Sequence, residues 1–107
     1  MSAYVVSKHG LLGLMRAVAV EVAPFGVTCN AVLPGSVRTE TAERKVAEEA
    51  ERAGGTVEEA WAARAARSYA GRLVTDAEVA AAIRFLVSDA ASGVNGEALG
   101  VGLQPWG

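Results

Sequence analysis

Tyr4 and Lys8 stand four residues apart in Tyr4-Val5-Val6-Ser7-Lys8, and on a helix that spacing puts both side chains on one face. A phenol ordinarily titrates near about 10, which makes it a poor base at neutral pH. A fixed ammonium beside it stabilises the phenolate and lowers that pKa. The pair therefore suits proton transfer to or from an oxygen atom, with Tyr4 carrying the proton and Lys8 the charge. A second group is the run Pro34-Gly35-Ser36-Val37-Arg38-Thr39. Gly35 allows backbone to approach a ligand closely, and the Ser36 and Thr39 hydroxyls can bond an amide or a phosphate. Each group also has a plainer explanation. Tyrosine and lysine at helical spacing are common, and a Pro-Gly pair marks turns in general.

Two elements must position these groups. The stretch Tyr4 to Glu21 reads as one helix, continuing through Leu11, Leu12, Leu14, Met15, Ala17, Val18, Ala19, Val20 and Val22, with only Arg16 and Glu21 interrupting. Such a helix is apolar nearly all round and must be covered on more than one side. Another chain, or a part of the protein absent here, is expected to cover it. Gly10 and Gly13 lower helix propensity but permit close helix approach, while Pro24 and Gly26 stop the helix just after Ala23. Val27 to Leu33 is a β-favouring run between Gly26 and Pro34-Gly35, and reads as a buried strand. Helix, short turn and strand form the second half of a βαβ unit of a parallel sheet. Ligands in such folds sit beyond the carboxyl ends of strands, and here that end is Pro34 to Thr39.

The chain has 107 residues, 51% hydrophobic and 6% aromatic, with formal net charge −2. It is sized as one small domain or a piece of a larger one, and no basic field exists to draw nucleic acid or an anionic membrane. A single cysteine, Cys29, forms no internal disulfide and fits a reducing cytoplasmic setting as a buried, inert thiol. There is no signal-like N-terminus and no apolar run of the roughly 20 residues that span a bilayer. No repeat and no metal-ligand cluster is present; His9, the one histidine, reads as structural or solvent-facing.

Tyr4-x-x-x-Lys8, the following GLLGLMRAVAVEVAPFGVTCNAVLPGSVRT, and Gly71-Arg72-Leu73 ahead of an acidic helix start together resemble the C-terminal half of the classical short-chain dehydrogenase/reductase family. The resemblance covers nearly the whole chain in order and spacing. It implies an α/β fold: the C-terminal half of a Rossmann-like, doubly wound parallel sheet with two strands and about four helices, as one partial domain over residues 1–107. It implies NAD or NADP as cofactor. Tyr4 then matches the general acid or base for a carbonyl or alcohol oxygen, and Lys8 matches the lysine that holds the nicotinamide ribose and lowers the tyrosine pKa. Pro34, Gly35, Val37 and Thr39 match the loop that meets the nicotinamide end, with Val37 contributing backbone contacts to the carboxamide. Asn30 matches a structural polar position near the strand end.

Between Thr39 and Arg67 the composition shifts to Ala, Glu, Arg and Lys, which reads as two helices separated by Gly54-Gly55. Thr56 and Glu59 have the form of a capping box. By resemblance, residues 39–70 are a substrate lid similar in length to that of 3-hydroxyacyl and 3-hydroxybutyrate type members; Trp61 and Tyr69 are candidate cleft residues. Most of its charges read as a solvated helix face. Thr75-Asp76-Ala77-Glu78 starts a further helix, Thr75 as N-cap with two acids at the positive end of the dipole. That helix is expected through Val79 to Asp89, with Val79, Ile83, Leu86 and Val87 on one apolar face. Gly96 to Gln104 reads as a terminal strand. Two apolar surfaces without internal cover predict a homo-oligomer.

Departures from the family pattern are equally specific. No Gly-rich G-x-x-x-G-x-G turn follows an early strand, so the pyrophosphate site and the dinucleotide-binding half are expected to be missing from this chain. The family's active-site asparagine, the serine upstream of the tyrosine and the selector for adenosine ribose have no match, and Val-Gly-Leu-Gln-Pro-Trp-Gly replaces the usual Val-Asp-Gly-Gly ending. Two functions follow. One is the C-terminal portion of an NAD(P)-dependent oxidoreductase acting on a small carbonyl or secondary alcohol. The other is an inactive remnant of that family serving as an oligomerisation or interaction module.

Overall fold

The computed structural model describes residues 2–102. In chain order the regular elements are α1 (Ser2–Val22), β1 (Ala31–Pro34), α2 (Glu40–Ala53), α3 (Val57–Arg67), α4 (Asp76–Leu86) and β2 (Ala98–Val101). Short 3₁₀ turns lie at Ala23–Phe25, Tyr69–Gly71 and Asp89–Ala91. β1 and β2 form a two-stranded sheet. Ala31 N–H donates to Glu97 O and, four residues on in each strand, Gly35 N–H donates to Val101 O, both at 2.8 Å. Bonds advancing in the same direction along both strands make the pair parallel. Among the described residues no helix is long and apolar enough to cross a membrane, and no group of His, Cys, Asp and Glu gathers as metal ligands.

The chain divides into two compact units, residues 1–33 with 81–99, and residues 34–80 with 100–107. In the first, α1 is built as its composition requires. Leucine, alanine and valine carry it to Val22, where Pro24 enters a 3₁₀ turn and Gly26, at φ 72°, closes it in the left-handed region, a conformation that costs glycine nothing. Only Met15 and Ala19 of α1 are buried. Val6, Leu11, Leu14 and Val20 are exposed. Two asparagines stitch this unit together. Asn95 Nδ2 donates to Ala19 O and its Oδ1 accepts from Cys29 N–H, both at 2.9 Å. Asn30 Nδ2 donates to Val94 O at 3.1 Å and its Oδ1 accepts from Glu97 N–H at 3.0 Å.

Three sequence expectations need correction in this unit. The strand is Ala31–Pro34 and half-buried along most of its length, not a buried strand over Val27–Leu33. Upstream of Ala31 the backbone bonds go to the Asn95 side chain and to Gly96, whose N–H donates to Cys29 O. β1 also has one strand neighbour among the described residues. Cys29 is accordingly half-buried. α4 stops at Leu86, and the apolar face expected of it divides: Leu86 is buried, whereas Ile83 is exposed and Val87 is 80% exposed. An open cleft of about 720 Å³, lined by Ile83, Leu86 and Val87 together with residues of the 26–32 segment, explains why they lack cover.

The second unit holds α2, α3 and the turns around them. Thr39 caps α2, its hydroxyl accepting from Ala42 N–H at 3.1 Å; Gly54, at φ 70°, ends it. Thr56 and Glu59 make the full reciprocal capping box at the start of α3. Val46 is completely buried, and Ala50, Trp61 and Val74 are nearly so. Arg64 grips Glu49 through Nη2 to Oε1 at 2.6 Å and Nε to Oε2 at 3.3 Å, closing the α2–α3 hairpin by the fork geometry that arginine presents to a carboxylate. At the start of α4, Thr75 and Glu78 form a second reciprocal cap, Glu78 N–H to Thr75 Oγ1 and Thr75 N–H to Glu78 Oε1, both at 3.1 Å. Of the terminal strand expected over Gly96 to Gln104, β2 occupies Ala98–Val101; Leu103 and Gln104, and the altered tail after them, lie outside the described residues.

Candidate functional site

The residues singled out for chemistry fall into the two units and are described in each separately. In the first, α1 carries Tyr4 and Lys8 on one face, and Lys8 Nζ lies 5.5 Å from the centre of the Tyr4 ring. That is within the range at which an ammonium acts on a π-system. Tyr4 is 61% exposed. Ser7 Oγ donates to Tyr4 O at 2.8 Å, and the His9 ring bonds Val5 O through Nδ1 at 2.9 Å. Both bonds are local to the helix, so His9 serves its own backbone.

In the second unit, Pro34, Gly35, Val37 and Thr39 converge on one open cleft of about 430 Å³, which Asp76 and Val79 complete from the start of α4. These are the four loop residues that the resemblance singled out. Asp76 and Val79 were missed as cleft residues, because an acid after an N-cap is fully accounted for by the helix dipole. A larger cleft in the first unit is lined by none of the candidate residues.

A short parallel bridge fixes the loop. Val74 N–H donates to Ser36 O at 2.9 Å, and Val37 and Val74 form a parallel bridge. In such a bridge it is Val74 whose N–H is turned toward the loop, so the N–H and C=O of Val37 point to the other side. An N–H donor and a C=O acceptor presented by one residue are the complement of a carboxamide.

Gly35 is required by the packing of the protein itself. A Cβ built there would run into the carbonyl oxygen of Gly102. The close approach is to backbone of the protein itself. Gly102 in turn stands at φ 71° with no room for a Cβ against the Val74 side chain. Thr39 is committed through one lone pair to capping α2, and its O–H remains a donor. Trp61 is 4% exposed and Tyr69 61% exposed. Trp61 is therefore core rather than cleft lining, held between the Arg38 and Arg64 guanidinium groups at 4.8 and 6.0 Å from its ring.

Three arginines of this unit are paired with glutamates. Arg38 bonds Glu43 and holds its carboxyl below the usual range, and Arg64 does the same to Glu49. The Arg72 guanidinium, first, and the Thr75 backbone and hydroxyl, next, lower Glu78 to about 2. A Gly-x-x-x-Gly-x-Gly spacing does occur at Gly96, Gly100 and Gly102, but it runs along β2 and among the described residues opens no helix whose N-terminus could meet a pyrophosphate.

An α/β unit with a parallel strand pair, a Tyr-x-x-x-Lys helix before it and a Pro-Gly-x-Val-x-Thr cleft after it defines a class that comparison with known proteins bears out. The family profile for enoyl-(acyl carrier protein) reductases matches residues 1–102. The chain is 42% identical over 99 residues to a ketoacyl reductase of the monensin polyketide synthase of Streptomyces virginiae, covering 92% of this chain and 38% of that protein. It is 40% identical over 96 residues to the D-β-hydroxybutyrate dehydrogenase of Cupriavidus necator, covering 89% of this chain and 37% of that one. Among solved structures, an actinorhodin polyketide ketoreductase with NADPH superposes with a TM-score of 0.84 at 36% identity, over 94% of this chain and 38% of that one. The chain belongs to the short-chain dehydrogenase/reductase family, and it has that family's α/β fold. It spans less than two fifths of the length of the curated relatives it matches.

Proposed function

We propose that this chain forms the proton-transferring and nicotinamide-facing part of an NAD(P)-dependent oxidoreductase acting on a carbonyl or secondary alcohol, with 3-oxoacyl or 3-hydroxyacyl compounds as the substrate class. One observation carries the reading: Pro34, Gly35, Val37 and Thr39 line a single cleft, in which Val37 has its backbone N–H and C=O turned away from the bridge. The residues present suit the carboxamide end of a nicotinamide. When bound, the cofactor would supply the hydride.

Tyr4 Oη gives its proton to the carbonyl oxygen in reduction and takes it back in oxidation. Lys8, 5.5 Å from the ring, stabilises the phenolate left behind and, by the family pattern, holds the nicotinamide ribose. The adenosine contacts, and the serine and asparagine that the family places before the tyrosine, match nothing in this sequence, so turnover requires that they be supplied. Names of the relatives, a ketoacyl reductase and a hydroxybutyrate dehydrogenase, support the substrate class, and the NADPH of a similar structure supports the cofactor. Self-association through α1 belongs to the same proposal.

A second reading, an inactive module that joins other subunits, draws on the exposed apolar residues of α1 and on the 61% exposure of Tyr4. Titration of the purified chain with NADH and NADPH, following fluorescence and carbonyl reduction together, separates the two. Binding and turnover that Tyr4→Phe abolishes support the oxidoreductase. A stable oligomer in light scattering that binds neither nucleotide supports the module.

A further inference from the structure

Arg38 lies between two residues of the candidate cleft, Val37 and Thr39, yet its own side chain turns to the helical hairpin. Its guanidinium stacks at 4.8 Å over the buried Trp61 ring of α3. It also bonds Glu43 of α2 through Nε and approaches Glu58 of α3 at 3.9 Å. Trp61 Nε1 is buried with no hydrogen-bond partner, although the Glu43 carboxylate is near enough that the indole N–H adds slightly to the depression of its pKa. What holds the indole in place is packing and cation–π contact, and Arg38 and Arg64 are the cations. A planar guanidinium does both jobs at once, offering its face to the ring and its edge to the carboxylates.

We propose that Arg38 is a positioning residue that ties the Pro34–Thr39 loop to the α2–α3 hairpin, so that order in the helical pair and presentation of the Val37 backbone are one event. The tie is short: Val37 is the neighbouring residue, and the bridge to Val74 is the loop's attachment on the other side. Releasing the Arg38 stack leaves the loop held by backbone bonds at its edges. The consequence for cofactor rests on the oxidoreductase reading above; the mechanical tie does not.

Hydrogen exchange on the full chain tests it, read at the Gly35 and Val74 amides, whose bonds to Val101 O and Ser36 O anchor the loop. Arg38→Gln, a substitution at a half-exposed side chain, is expected to speed exchange at both about fivefold, a solvent-exposed cation–π contact being of that order. The Glu59 amide at the start of α3 stays protected. Arg38→Lys keeps the charge and loses the stack, and is expected to give at least half the effect. Unchanged exchange in Arg38→Gln, or full recovery in Arg38→Lys, overturns the proposal. NADPH titration of the same proteins gives a second readout: a dissociation constant about fivefold higher in Arg38→Gln, with the Glu59 amide still protected, is the mark of positioning rather than general support. Faster loop exchange with unaltered affinity overturns the link to cofactor. A parent chain that binds neither nucleotide refutes the oxidoreductase reading instead, and the exchange result still decides the tie.

Discussion

Replacing Gly35 by alanine distinguishes a glycine kept for a ligand from one kept for the fold. The added Cβ would fall far inside van der Waals contact with the Gly102 carbonyl oxygen and at 3.4 Å from Val74 Cγ2. The obstacle is backbone, itself held by the left-handed φ of 71° at Gly102, so it cannot swing aside as the end of a long side chain would. Relief must come from parting residue 35 from residue 102, which also strains the 2.8 Å bond from Gly35 N–H to Val101 O. Overpacking of this kind costs about 2 kcal/mol, which in a domain of this size lowers the melting temperature by roughly 10 °C. The control is Gly10→Ala. Nothing lies within 4 Å of a Cβ built at Gly10, and in a helix interior alanine is favoured over glycine by about 0.8 kcal/mol, so the melting temperature should rise by roughly 4 °C. Thermal denaturation without nucleotide reads both. A Gly35→Ala protein melting within about 2 °C of the parent, with only nucleotide affinity reduced, would refute the steric reasoning and restore the ligand as the reason for Gly35.

Three further outcomes are expected. Thr75→Ala removes the hydroxyl that accepts from Glu78 N–H at 3.1 Å and should cost about 1 kcal/mol, measurable by urea denaturation; no change would mean that the cap is dispensable. Ala70 sits at φ 59° without being glycine, so Ala70→Gly should stabilise the chain by about 0.5 kcal/mol, and a lower melting temperature would count against strain there. Because Arg72 and Thr75 lower Glu78 from 4.5 to about 2, its contribution is complete above the unfolded value and is lost as pH falls from about 4.5 toward 2. Glu43 and Glu49, held low by Arg38 and Arg64, act in the same sense. Acid denaturation of Glu78→Gln should therefore show a shallower fall over that range, and an identical slope would dismiss the Arg72 pairing as a source of acid sensitivity.

Local signals made much of this protein legible from sequence. A long run of Leu, Ala and Val with Pro24 and Gly26 behind it specifies a helix and its end, because each depends only on neighbours a turn away. Gly54-Gly55 and the Thr56/Glu59 pair mark the α2–α3 hairpin for the same reason, as does Thr75 for α4. The four helices, the two strands and the spacing of Tyr4 and Lys8 follow from such short-range rules.

Tertiary structure decided the matters that depend on residues distant in the chain. β1 is shorter than the β-favouring run it overlaps, since Asn95, far along the sequence, takes the Cys29 N–H that a strand neighbour would otherwise take. Gly35 is explained by Gly102, Trp61 by Arg38 and Arg64, and the cleft by Asp76 and Val79 as much as by the loop that defines its motif. Periodicity shows that a side chain has an apolar or a polar face, but not what lies opposite it. Which residue meets which is set by packing across the fold, where a single Cβ or a planar guanidinium determines whether two segments can approach.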